Sequence, residues 1–235
     1  MKVSVIIPAL NEAPRLPALA AALAAEPVDH EVILVDGGSR DDTVATARRL
    51  GFRVLETEPG RGRQLAAGAA AARGQVFWFV HADTRLPASA LAAVAAELGR
   101  RPGAVGGNFR LLFDGDDGFS RWLDGFYAWI RARGFYYGDS GVFVRRWVYE
   151  ALGGIRPIAL MEDYDFNRRM EEFGDTICIS EPPLVSSSRR FRGRRPAAIV
   201  IGWFLIHGLF HLGVSPDRLA AWYDSARRRQ RAQGA

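Results

Sequence analysis

The sequence predicts an α/β fold: a mostly parallel sheet flanked by helices, with a C-terminal helical tail. Two observations carry this expectation. The first hundred residues alternate short β-branched or aromatic runs with alanine-rich stretches of helical composition, the pattern of parallel strands joined by crossover helices. Polar and acidic residues then recur where the strand-like runs end, at Asn11-Glu12, Asp36 and Asp83, and again at Glu162-Asp163 where a late helix opens. In an open α/β sheet the carboxyl ends of the strands form the ligand crevice. Carboxylates gathered there can hold a divalent cation, grip a ribose or base edge, and remove a proton.

Taken in order, residues 3–8 read as strand and 12–25 as helix, with Asn11 as its N-cap. A strand over 31–36 and a helix over 41–50 follow, and Ser39 and Asp42 have the spacing of a capping box. Residues 52–57 read as strand and 62–73 as helix, while 76–80 is apolar on both faces and is therefore expected at the sheet centre. Leu86-Pro87 leads into a helix ending near Arg100, followed by a strand over 104–113, a loop over 115–118 and an aromatic-rich helix over 119–133. A glycine-rich loop over 134–141 carries Asp139 ahead of a strand over 142–145. Glu162–Phe173 reads as a helix with Phe166, Met170 and Phe173 on one face, and 176–180 as a strand. The single cysteine, Cys178, excludes an internal disulfide and is expected to be a buried small hydrophobe.

The chain has 235 residues, 49% of them hydrophobic and 24% charged, which suits a globular domain with a substantial core and argues against disorder. A strand begins two residues after Met1, leaving no room for a signal peptide, so a reducing, cytoplasmic setting is expected. Charge is uneven. From Arg189 onward ten arginines stand against two aspartates, so within a net charge of +5 the preceding residues carry −3.

Several motifs bear on chemistry. The turn after the first strand, Pro8-Ala9-Leu10-Asn11-Glu12, has no glycine, and Lys2 is the only lysine, so neither a dinucleotide fingerprint nor a Walker loop is present. A bound nucleotide must be held by carboxylates and loop backbone. Asp36 precedes Gly37-Gly38, where it either accepts from a base N–H or ribose hydroxyl or simply organises the turn. His81-Ala82-Asp83 ends the central run; residues two apart on extended chain point the same way, so His81 and Asp83 can face one ligand. Such a pair with diphosphate oxygens suits Mg²⁺ or Mn²⁺, and imidazole suits Mn²⁺ better; the alternative is Asp83 as a helix N-cap. Arg61 and Arg63 open a helix whose N-terminus attracts phosphate, or are solvated there. Three acids within Glu162-Asp163-Tyr164-Asp165 exceed what helix capping needs, and the helix dipole helps keep a carboxylate ionised for general-base work.

With these residues in order, the chain resembles the family 2 nucleotide-sugar glycosyltransferases of the GT-A fold. The matching stretches are residues 5–12, 35–43, 60–74 running into 77–83, Gly138-Asp139-Ser140-Gly141 and Glu162-Asp163, spanning residue 3 to about 190. The resemblance implies inverting transfer of a sugar from a UDP- or GDP-type donor to a hydroxyl acceptor, a lipid-linked one included. It implies a donor-binding set of Pro8, Ala9, Asn11, Glu12, Asp36, Gly37, Arg61, Arg63, Ala82 and Asp83. Asp83, with His81, would hold Mn²⁺ or Mg²⁺, Asp163 beside Glu162 would be the general base, and Asp139 would orient the acceptor. The sequence departs from the family at His81, where aspartate is usual, and from processive synthases in lacking Q-x-x-R-W. A sugar-nucleotide nucleotidyltransferase and a non-catalytic nucleotide-binding membrane adaptor are the competing readings.

Residues 1–190 are thus expected to form the transferase domain and 191–235 a basic and apolar tail. Five arginines within residues 189–195 precede an apolar stretch over 197–214 containing His207 and His211. At 18 residues it is borderline for a span, which needs about 20. A helix lying on an anionic inner membrane surface, a helix packed on the body, and a homodimer contact are the readings; the two histidines share a face and bind metal or form its polar side. Nucleic-acid binding is not expected, because the arginines flank an apolar helix.

Overall fold

A computed structural model describes residues 1–191 and 195–223. It contains a seven-stranded sheet in the order β3-β2-β1-β4-β6-β5-β7, made of β1 (Val3–Ala9), β2 (His30–Asp36), β3 (Arg53–Glu56), β4 (Val76–Phe79), β5 (Gly106–Phe113), β6 (Phe143–Arg145) and β7 (Thr176–Ser186). The first four strands are mutually parallel. β6 is antiparallel between β4 and β5, and β7 joins β5 in parallel at the edge. β4 is central, as its two apolar faces require.

Side chains alternate across a strand, so each strand feeds two cores. Val5, Ile7, Trp78 and Val80 pack beneath α1 (Leu16–Ala24), α4 (Ala90–Arg100) and α5 (Gly118–Arg131). Ile6, Phe77 and Phe79 pack on the opposite face with α3 (Arg61–Ala71), α6 (Arg146–Ala151) and α7 (Glu162–Phe173). α2 (Thr43–Arg49) closes the β2–β3 connection. α8 (Pro196–His211) and a helical segment over 216–223 pack on the body, through Ile206, Phe210 and Tyr223 against Met161 and Tyr164. Among the described residues no helix is long and apolar enough to cross a membrane.

Four expectations are corrected. Cys178 is exposed: its neighbours Ile177 and Ile179 take the inward face of an edge strand, which turns residue 178 outward. Phe166 and Met170 are buried, but Phe173 in the last turn is 43% exposed and contacts only the rim, with its ring 5.9 Å from that of Trp147. Asn11 caps no helix. It sits at φ 56°, and its Oδ1 accepts from the Arg40 amide at 2.8 Å, tying the turn after β1 to the turn after β2. The helix it was expected to cap starts with a 3-10 turn at Ala13–Arg15. Asp42 makes no side-chain cap; the Thr43 amide is capped instead by Asp41 Oδ1 at 3.0 Å.

Gly68 of α3 lies against the sheet, where an added Cβ would stand 2.5 Å from Ile6 Cγ2 and 3.0 Å from Val35 Cγ2. Gly68→Ala should therefore cost about 1–3 kcal/mol by overpacking, read from urea unfolding. Gly99→Ala in α4 meets nothing within 4 Å and should be neutral or gain up to ~1 kcal/mol.

Candidate active site

β1 and β2 end level, with Ala9 opposite Asp36, while β4 stops earlier beside them, its last residue Phe79 opposite Ile6. The strand order reverses between β1 and β4, and ligands of open α/β sheets bind at such a switch point. Pro8, Ala9, Asn11, Glu12, Asp36, Gly37, His81, Ala82 and Asp83 all lie along this edge or in the turns leaving it. Gln64, which the sequence reading missed, clamps the edge: its amide donates to Ala9 O at 2.9 Å and Val35 O at 2.8 Å. The sequence shows only a glutamine in an alanine-rich stretch; its burial, which marks it as a clamp, needs the fold. A Cβ on Gly37 would meet that amide at 3.0 Å, so any side chain there would press on the clamp.

Asp36 is buried and turned into its own loop, accepting from the amides of Gly38 and Ser39 at 2.9 Å each and from Ser39 Oγ. Glu12 pairs with Arg15. Burial pushes the Glu12 carboxyl up against the pull of Arg15, and the nearby charges of Asp83 and Asp41 add to the rise. Asp83 does not cap a helix, because α4 begins seven residues later at Ala90 with Ser89 preceding it.

Beside this edge stands a second acidic group. Asp163 Oδ2 accepts from the Gly138 amide at 2.9 Å and faces Arg61 Nη2 at 3.1 Å, while Oδ1 accepts from the Tyr164 amide at 2.8 Å. Arg61 Nε donates to Glu162 Oε1. Burial would raise the Asp163 pKa, but Arg61, the two amides and His81 outweigh it and hold the carboxyl below the usual aspartate range. Glu162 goes the other way: burial dominates over Arg61, and Asp163 adds to the rise. One guanidinium thus serves two adjacent carboxylates, and its pull outweighs burial at Asp163 but not at Glu162. Burial alone would lower the Arg61 pKa, yet Asp163, Glu162 and Asp139 raise it.

His81 connects the two groups. Burial and Arg61 lower its pKa against the pull of Asp139, Asp83 and Asp163, so the imidazole is neutral near pH 7. A Cβ on Gly138 would fall 3.2 Å from Asp163 Oδ2 and 3.4 Å from His81 Nε2, so the absent side chain lets the amide reach the carboxylate. Asp139, buried in the 3-10 turn Gly138–Ser140, is 3.4 Å from the Tyr127 hydroxyl. The structure therefore brings Glu12, His81, Asp83, Asp139, Glu162, Asp163 and Arg61 together, with Asp36 on the same edge. Arg63 is exposed and does not join them. Arg61 engages Glu162 and Asp163, a partnership the sequence did not show.

Arg61, Asp139, Glu162 and Asp163 open onto a cavity of about 590 Å³ whose other walls are α5, α8 and the 159–164 segment. His207 Nε2 meets the Tyr137 hydroxyl, and His211 Nε2 the Tyr164 hydroxyl at 2.9 Å, so these histidines pin α8 to the body rather than sharing a metal. Among the described residues no group of three or more His, Cys, Asp or Glu side chains can hold a metal by itself. A cation beside Asp83 would need oxygens from a bound diphosphate, which the carboxylate and the neutral His81 imidazole suit.

The sheet order, the carboxylate-bearing switch point and the acidic pair beyond it define a GT-A fold. The chain belongs to glycosyl transferase family 2, whose family model matches residues 4–147. An uncharacterised glycosyltransferase of Mycobacterium tuberculosis is 38% identical over 109 residues, 46% of this chain and 49% of the relative, so the match spans about half the length of that protein. S. aureus TarS has a similar fold, with TM-score 0.65 and 17% identity over 89% of this chain and 44% of that one. So does a mannosyltransferase of Pyrobaculum calidifontis solved with GDP-Man and Mn²⁺, with TM-score 0.64 and 21% identity over 87% of this chain and 61% of that one.

The pinning of α8 carries a pH dependence. Burial and then His211 hold His207 below the usual imidazole range, against a weaker pull from Asp163. An unfolded imidazole takes its proton near pH ~6.5, so this stability is present above that value and is lost as pH falls through it toward the lower folded pKa. Urea midpoints should fall between about pH 7 and pH 5 more steeply for the wild type than for His207→Gln. Parallel curves would show that His207 is not held neutral.

Proposed function

We propose that the protein transfers a sugar from a nucleoside diphosphate-sugar to an acceptor hydroxyl with inversion, Asp163 acting as general base. The observation that carries this reading is the setting of Asp163: fixed by two backbone amides, kept ionised by Arg61, and facing a cavity beside the His81–Asp83 strand end. The donor fits the edge of β1, β2 and β4, where Asp36, Glu12 and the turn backbones supply acceptors and donors for a nucleoside. A Mn²⁺ or Mg²⁺ ion held by Asp83 with His81 would neutralise the leaving diphosphate. The solved mannosyltransferase with GDP-Man and Mn²⁺ supports that assignment.

The acceptor oxygen attacks the anomeric carbon on the face opposite the diphosphate. A new carbon–oxygen bond forms as the bond from that carbon to the β-phosphate oxygen breaks, and the hydroxyl proton passes to Asp163. The nucleoside diphosphate departs with the bonding pair. Asp139, on the same cavity wall, orients the acceptor, and Glu162 holds Arg61 in place. Family membership favours this reading over a nucleotidyltransferase, and an ionised, cavity-facing Asp163 favours turnover over a binding-only adaptor. We propose a transferase domain over 1–190 with a tail over 191–235 whose first helix walls the cavity; residues 192–194 and 224–235 of that tail lie outside the described residues. The exposed Ile201, Phe204 and Leu205 of α8 support a peripheral membrane contact for that helix.

A general base contributes about 10²–10⁴-fold. With a nucleotide sugar identified by thermal-shift screening, Asp163→Asn should lose transfer by that factor while calorimetric binding of GDP or UDP with Mn²⁺ is retained; undiminished turnover rejects the role. Asp83→Ala should abolish the Mn²⁺-dependent part of nucleotide binding, and binding that is equal with and without Mn²⁺ in the wild type would remove the metal from the account.

A further inference from the structure

We infer that the cavity beside Asp163 is a subsite for an acceptor whose hydroxyl is carried on an apolar body. This rests on the transferase reading above and names its substrate class. The cavity, about 590 Å³, has the size of a small-molecule site, for which about 300–1,000 Å³ is usual. Among the described residues its charged lining is Arg61, Asp139, Glu162 and Asp163, the residues of the reaction end. Most of the remaining wall is aromatic or aliphatic, and the Tyr137 and Tyr164 hydroxyls are already engaged by His207 and His211. A polyhydroxylated acceptor would lose more hydrogen bonds to water along these mostly apolar walls than the walls return, which costs affinity. An apolar chain or ring loses nothing there and gains from leaving water.

The mouth extends the argument. Trp129 on α5 and Phe204 on α8 both line the cavity, yet are 53% and 64% exposed. Ile201 and Leu205 continue the exposed apolar surface along α8. The cavity thus has an apolar exit past Trp129 and Phe204, over which an acceptor body longer than the cavity can run out along α8. The donor edge lies elsewhere, since Asp36 and Asp83 are not among the lining residues. In the step itself the acceptor hydroxyl at the polar end gives its proton to Asp163 and its oxygen to the anomeric carbon, while the apolar body stays between α5 and α8.

The test uses the full chain with farnesol as an isoprenoid probe, 2-naphthol as an aromatic one and glycerol as a polar control, each titrated by calorimetry. At least one apolar probe should bind saturably, and glycerol should not. Trp129→Gln combined with Phe204→Gln, two exposed positions, should weaken that binding tenfold or more, while Trp147→Gln, an exposed tryptophan outside the cavity, should leave it at the wild-type level. Farnesol alone binding assigns a chain-like acceptor, and 2-naphthol alone assigns a ring. Failure of both probes to saturate, equal binding by the double variant, or equal binding of glycerol overturns the inference. GDP and UDP titrated with Mn²⁺ on the same samples report the donor edge. Loss of nucleotide binding with intact apolar binding counts against the transferase reading, and the reverse pattern counts against the apolar subsite alone.

Discussion

The guanidinium of Arg61 holds this site together. It stands at the first turn of α3 and grips the side chains of Glu162 and Asp163 at the first turn of α7, 101 residues away. Two neighbouring carboxylates, both buried, could not remain ionised in such a place without a cation. Gly62 makes the approach feasible, because a Cβ there would sit 3.0 Å from the carbonyls of Arg156 and Ile158 and 3.3 Å from Glu162 Cβ. The close packing of α3 on the 156–162 segment and the charge state of Asp163 are therefore one constraint. A buried pair of this kind adds little net stability relative to apolar packing, whereas removing one partner is costly. Its value lies in holding the Asp163 carboxyl below the usual aspartate range and in fixing where it points.

The sheet supplies the other half. The ends of β1 and β2 and the turn leaving β4 give a donor edge, and the antiparallel β6 brings the 3-10 turn over 138–140 to the flank of β4. That turn carries the Gly138 amide to Asp163 and places His81 and Asp139 within electrostatic reach of one another. The site is thereby divided. Nucleoside chemistry belongs to the strand ends, and the base looks into a cavity walled by α5 and α8. Tyr137 and Tyr164, next in sequence to Gly138 and Asp163, also hold α8, so the wall and the base are positioned by the same two backbone segments.

Much of this was legible in the sequence because it rests on local periodicity. The four parallel strands, their crossover helices and the limits of α7 follow from apolar alternation and from the acidic helix start. Carboxylates at strand ends pointed to the edge where Glu12, Asp36 and Asp83 stand. What was not legible depends on tertiary partners. α6 is continuous in composition with the strand before it, so residues 146–151 gave no boundary. Cys178 and Phe173 are apolar residues whose exposure is set by an edge strand and a rim. Arg61 and Arg63 look alike at a helix start, and only the arrival of α7 makes one of them the counter-ion of two buried carboxylates. The histidines of the tail read as the polar side of a packed or membrane-surface helix ahead of metal ligands, and the tyrosines Tyr137 and Tyr164 opposite them select packing.

The central claim is that Arg61 and Glu162 are energetically coupled across the join between α3 and α7. A double-mutant cycle with Arg61→Met, Glu162→Gln and the double variant, read by urea unfolding at neutral pH, measures it most directly. Contacting charged residues couple by about 0.5–3 kcal/mol, and the upper half of that range is expected here because the Glu162 carboxylate is buried while Arg61 borders the cavity. Losses that add within about 0.3–0.5 kcal/mol would mean the pair is incidental, and the account of how Asp163 is held ionised would be contradicted.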